Sequence, residues 1–100
     1  MNVVFEDGTA ALLARAAAGD EDAFMRFYDI AGGYVFALAL SRARGRGLGG
    51  PVAREAAQRE TCRWFVRAWA HAAEHPASGL SPLAWLLTLA PGIAEEAACA

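Results

Sequence analysis

The sequence contains no lysine. All nine basic residues are arginine, whose planar guanidinium grips phosphate or carboxylate with two prongs, where lysine acts as a point charge. Beside so much alanine, this absence also bears the mark of GC-rich coding. Cysteine is scarce too: Cys62 and Cys99 are the whole complement, at a spacing that builds no disulfide framework. Reduced thiols in a cytoplasmic protein are the expectation. β-branched residues are few, and no stretch alternates apolar with polar, so a sheet is not expected. No basic N-terminal region precedes an apolar core, which argues against a signal peptide. The most apolar run, "LAWLLTLA", is too short to span a bilayer, so no membrane role is expected. The formal net charge of −2 argues against strong nonspecific nucleic-acid binding by the whole domain but leaves room for a local basic face.

What the sequence does have is helical spacing. A length of 100 residues fits one domain, read as residues 1–100 with a core over about 9–90 and a weak or frayed tail over 91–100. The fold expectation is all-α, a compact bundle of three to four helices. The first helix carries "AALLARAAA", capped by Thr9 or Asp7, and ends at Gly19 in a left-handed conformation. The second starts in "GDEDAFMRFYD". Asp20 suits the N-cap, and Glu21 and Asp22 face the positive end of the helix dipole. Phe24, Phe27, Tyr28, Ala31, Val35, Leu38 and Ala39 then recur at spacings of three and four, to about Arg42. Gly32 and Gly33 interrupt this helix, as a kink or a close approach. The clear loop is "RARGRGLGGP", made basic by Arg42, Arg44 and Arg46. A third helix is expected from about Pro51 to Glu74, with Ala53, Ala57, Thr61, Trp64, Phe65, Ala68, Trp69 and Ala72 turned inward. "HPASGLSP" breaks the chain. Ser81 then caps a fourth helix that buries Leu83, Leu86, Leu87 and Ala90.

Each constellation has a plain reading beside a sharper one. Asp20, Glu21 and Asp22 resemble a metal cluster, but consecutive helical residues point in different directions, and capping accounts for them better. His71 and His75 stand at i, i+4, a spacing that binds zinc from one helix face; a closed site wants four ligands, and a solvated helix end is the default. Cys62 and His71 lie about 13 Å apart along one helix and cannot act as a thiol–imidazole pair. "GRGLGG" follows no strand and has no lysine, so it is not a phosphate loop. No enzyme activity, metal or cofactor is expected. Arg59, Arg63 and Arg67 repeat at i, i+4 and form a basic stripe, suited to phosphate or to an acidic protein surface. Its plain reading is a solvated face with internal pairs, Glu55 to Arg59 and Glu60 to Arg63. Tryptophans can stack on unpaired bases. Core spacing favours a buried Trp69 and leaves Trp64 open.

Taken in order, "LLARAAAGDEDAFMRFYDIAGGYVFALAL", "FVRAW" and "SPLAWLLTLA" resemble region two of bacterial extracytoplasmic-function sigma factors, from about Leu12 to Ala90. The resemblance implies a helical bundle that docks on the clamp helices of RNA polymerase core. It also implies a grip on the non-template strand of the minus-ten promoter element. The pattern departs from the family ahead of "FVRAW", where an acid and a Gln-Glu pair are usual; Arg59, Cys62 and Arg63 stand there. After "AWLLTLA" a basic helix is usual; here "PGIAEEAACA" follows, with Glu95 and Glu96. The chain thus resembles a divergent, truncated region two. The expected contacts to polymerase or promoter DNA are Arg59, Arg63 and Arg67, with Trp64 for stacking and Arg44 and Arg46 assisting from the loop. The alternative is a sigma-like interaction module that pairs with another sigma factor, an anti-sigma factor or itself. An exposed Trp64 and Phe36 patch would favour that reading.

Overall fold

A computed structural model describes the chain from Val3 to Gly92, with side chains from Gly8 onward. The tail over 93–100, including Cys99, Glu95 and Glu96, lies outside the described residues, as does the side chain of Asp7. Among the described residues there is no strand. Three long helices, α1 (Val3–Ala17), α2 (Glu21–Gly45) and α3 (Gly50–His71), are followed by a 3-10 turn (Ala72–Glu74) and two short helices, α4 (His75–Ser78) and α5 (Pro82–Leu87). The all-α expectation holds.

Local chemistry sets the boundaries. At the end of α1, the amide of Gly19 donates to the Ala16 carbonyl (2.9 Å) and that of Asp20 to the Arg15 carbonyl (3.0 Å). With Gly19 at φ +98°, this is a left-handed glycine closure that satisfies the last carbonyls. Asp20 then caps α2, its Oδ1 accepting from the Ala23 amide at 3.0 Å, while Oδ2 accepts from Arg15 Nε and Nη2 at 3.1 and 3.0 Å. The Ala23 amide, and after it Arg15, hold the Asp20 carboxyl below the usual carboxylate range.

α2 runs three residues past the expected Arg42 because the same closure recurs later. Gly47, at φ +92°, donates to Arg44, and Leu48 donates to Ala43. Gly32 and Gly33 leave the helix unbroken. A Cβ on Gly32 would meet the Tyr28 ring at 3.6 Å, and one on Gly33 would meet nothing, so neither glycine is forced by packing. α1 begins well before Thr9, which is buried inside it rather than capping it. α3 ends at His71, and "HPAS" adds a turn of helix where only a break was expected. Ser81 caps α5 as expected, accepting from the Ala84 amide.

α2 and α3 pack along one another, and α1 lies against α2 and the C-terminal turns. The main core joins Leu12, Leu13, Phe27, Val35, Trp64, Phe65, Trp85 and Leu86. Burying one such side chain stabilises by about 1.5–3 kcal/mol. A second, smaller cluster of Ala43, Ala53 and Ala56, edged by Leu40 and Leu48, closes the α2–α3 turn. At 25 residues, α2 is long and apolar enough to cross a membrane, a property no single run of the sequence suggested. Its stripe of Ala23, Phe27, Ala31, Val35, Ala39 and Ala43 is buried in the bundle.

Candidate functional site

α3 carries most of the chemistry, and its faces differ. One face, with α2, forms an open apolar groove of about 510 Å³ lined by Phe24, Met25, Tyr28, Phe65, Val66 and Trp69, with Glu21 and Cys62 at its border. The floor is aromatic. Phe65 meets Phe24, Phe27 and Tyr28 edge-on, at 6.2, 6.0 and 4.8 Å between ring centroids. The Trp69 ring leans on Phe24 at 5.0 Å. A second depression of about 500 Å³ adjoins it, lined by Tyr28, Gly32, Phe36, Gln58, Thr61 and Cys62. Surface patches of this kind, large and apolar, commonly mark interaction sites.

The tryptophans exchange their expected roles. Trp69, placed in the core by its spacing, is 40% exposed and lines the groove. Trp64 is 1% exposed. Its indole Nε1 donates to the Leu86 carbonyl at 2.7 Å, and Arg42 sits over its ring at 5.5 Å. A ring enclosed in this way cannot stack on a base, so the assignment of Trp64 to stacking, and the exposed patch of Trp64 with Phe36, do not hold. Phe36 lies in the second depression, without Trp64 beside it.

The basic stripe is not a uniform solvated face. Arg59 is exposed, Arg67 is half-buried, and Arg63 is only 7% exposed. Arg67 Nε donates to the Leu89 carbonyl at 2.9 Å. The Arg63 guanidinium is largely enclosed: its Nε and Nη1 are buried and have no hydrogen-bond partner among the described residues, and the same holds for Oε1 of Glu60. Glu60, expected to pair with Arg63, is 2% exposed and pairs instead with Arg42 from α2, Oε2 to Nη1, at 2.9 Å. Nη2 of Arg42 donates to the Pro91 carbonyl at 3.0 Å. Periodicity could not show this pair, because it is made between helices. The only hint is a carboxylate set among apolar-facing positions of α3. Arg44 and Arg46 are exposed at the end of α2 and in the following turn, at the far end of α3 from the groove's Trp69.

The histidines take separate partners. His71 Nδ1 donates to Glu74 at 2.8 Å. His75 Nε2 donates to the Leu80 carbonyl at 3.0 Å, and its ring stands edge-on to Trp85. Among the described residues no three potential metal ligands gather in one place. The arrangement is that of a binding surface: an apolar groove on one side of α3 and an arginine-rich face on another.

Comparison with known proteins points the same way. Over 84 residues, 84% of this chain, the sequence is 34% identical to the ECF RNA polymerase sigma factor SigK of Mycobacterium ulcerans (strain Agy99). The chain spans 41% of that protein's length. No family model and no solved structure matches. By this match, its ordered motifs and its helical bundle, the chain carries a region similar to that of extracytoplasmic-function sigma factors of the sigma-70 class.

Proposed function

We propose that this chain is a sigma-factor-like transcription initiation module, a cytoplasmic binding protein rather than an enzyme, that docks on RNA polymerase core through the α2–α3 groove. The observation that carries the reading is the match to an RNA polymerase sigma factor along 84 residues. The groove supplies the surface: Met25, Val66 and Trp69 are large apolar side chains held about half-exposed, and an aromatic anchor in such a setting dominates binding energy. Promoter DNA is a second, weaker partner. Of the arginines considered, Arg59, Arg44 and Arg46 are the exposed ones, and they can reach phosphate without unpicking the core.

Retention of purified polymerase core by the immobilised chain tests the docking. Wild type should retain core, and Met25→Glu and Trp69→Ala should each weaken retention by roughly tenfold or more, as expected for central interface residues. Failure of every form to retain core, wild type included, rules the polymerase reading out. For DNA, the slope of affinity for minus-ten-like single strands against salt should fall when Arg44 and Arg46 are changed to Gln, by about 0.7 for each phosphate no longer neutralised. An unchanged slope removes those two residues from the interface.

A second reading is favoured by Arg59, Cys62 and Arg63, which stand where the resemblance leads one to expect an acid and a Gln-Glu pair; that change, near an open apolar groove, suits a protein partner other than polymerase, namely an anti-sigma factor, another sigma factor or a second copy. Concentration-dependent dimerisation abolished by Met25→Glu, without core retention, is the outcome that selects it.

A further inference from the structure

We infer that the outward face of α2 pairs antiparallel with the same face of a second copy of this chain, about a twofold axis beside Gly33. The inference is independent of the polymerase reading and uses a different surface from the α2–α3 groove. It starts from a helix that its own fold leaves largely uncovered. The most apolar 18-residue window of α2 has a mean hydropathy of 1.2, yet only 28% of it is buried. Ile30 and Leu38 are each 39% exposed, and Tyr34 is 61% exposed. These three follow at i, i+4 and form one ridge. Gly33 and Ala37, exposed beside it, form a shallow furrow. A contiguous apolar face of this kind marks an interaction surface.

Gly33 gives the first reason to choose a second copy. Glycine inside a helix costs stability relative to alanine, and here the fold gains nothing back. A Cβ at Gly33 would meet no atom within 4 Å, and its backbone is ordinary right-handed helix. The missing side chain serves a contact from outside the chain, because it lets another backbone come close.

Charge gives the second reason. The acids of α2, Glu21, Asp22 and Asp29, lie in its N-terminal half, and Arg42 and Arg44 lie in its last turn. Arg26 is the exception, one turn from Asp29. Two such helices attract when antiparallel and repel at both ends when parallel. Gly33 then sets the register, because it stands eleven residues from Asp22 and eleven from Arg44. Eleven residues make about three turns, so all three share one face. A twofold axis at Gly33 brings Asp22 of each copy level with Arg44 of the other, about 16 Å either side of the crossing. The ridges interleave in the same register: Ile30 of one copy falls level with the gap between Tyr34 and Leu38 of the other. The contact is self-complementary and closes at two copies.

Sedimentation equilibrium of the full chain tests the pairing. A single helix face is a small interface, so a dimer dissociation constant of about 10–100 µM is expected at low salt, weakening as salt screens the Asp22 and Arg44 ends. Gly33→Gln should weaken association by roughly tenfold or more, as a side chain at the centre of the contact. The same change should raise the urea midpoint of the dilute monomer, because glutamine is the better helix former. Asp22→Arg and Arg44→Asp should each weaken association by roughly threefold to tenfold, and the two reversals together should restore it to within about threefold of wild type. Trp69→Ala, in the groove, should leave it unaltered. A chain that stays monomeric up to about 1 mM overturns the inference. So does a dimer indifferent to Gly33→Gln, or a double reversal no tighter than the single ones. A dimer lost in Trp69→Ala overturns it as well, because the contact would then lie in the groove.

Discussion

Around Trp64 the helices are held apart by large side chains, Phe27, Phe65, Trp85 and Leu86 among them, whereas at the α2–α3 turn they meet through Ala43, Ala53 and Ala56. The two regions bury very different amounts of apolar surface. Stabilisation follows apolar area, so the main core should hold most of the stability. The alanine end buries only small side chains, edged by the partly buried Leu40 and Leu48. It relies on backbone chemistry, with a left-handed Gly47 closing α2 and Pro51 in the first turn of α3. The polar ties of Arg42 lie between these regions and fasten Pro91, after α5, to both long helices.

This contrast can be broken from its strong side first. Phe27→Ala removes a fully buried ring from the main core and should cost about 3–5 kcal/mol, read as a lower midpoint in urea or as disappearance of the cooperative transition. Arg42→Ala comes next. It leaves Glu60 buried without its partner and frees the Pro91 carbonyl. The pair is partly exposed on the arginine side, so a cost of about 2–4 kcal/mol is expected, with increased proteolysis after Leu86. Gly47→Ala probes the alanine end. Its Cβ would meet no neighbour, so the whole cost is the left-handed backbone, about 1 kcal/mol, with the core unaffected. An effect as large as that of Phe27→Ala would erase the distinction between the two ends.

Asp20→Ala should have the smallest effect, and its size depends on pH. The folded-state pKa of Asp20 is lowered by the Ala23 amide and then by Arg15. The carboxylate therefore contributes stability above the unfolded value of about 3.9, and that contribution disappears as pH falls through the lower folded value. Urea midpoints of wild type and Asp20→Ala should differ at neutral pH and converge in acid. Acrylamide quenching would sharpen the picture on the other side of α3: Trp69 should be quenched, and Trp64 and Trp85 shielded, in agreement with their exposures.

Much of this molecule is legible before any coordinates. Asp20, Gly19 and Ser81 mark helix ends through local backbone chemistry, and their neighbours in sequence are their neighbours in space. The groove was not legible, because Trp64 and Trp69 both satisfy a helical stripe. Which one faces the core depends on where α5 crosses α3, and the Leu86 carbonyl decides it by accepting a hydrogen bond from the Trp64 indole N–H. The arginine row reads as one face because i, i+4 spacing makes it so on an isolated helix. The Leu89 carbonyl, which holds Arg67, and the burial of Arg63 divide it.

The sequence by itself determined an all-helical chain, its caps, its glycine closures and its likeness to a sigma-factor region. Those depend on interactions within a few residues or on an ordered pattern of types. Only the tertiary structure decided that Trp64 is enclosed and Trp69 open, that Glu60 answers Arg42, and that Arg63 is buried. Each of these depends on which groups meet between helices distant in sequence, and burial and pairing at such crossings are set by the whole packed arrangement.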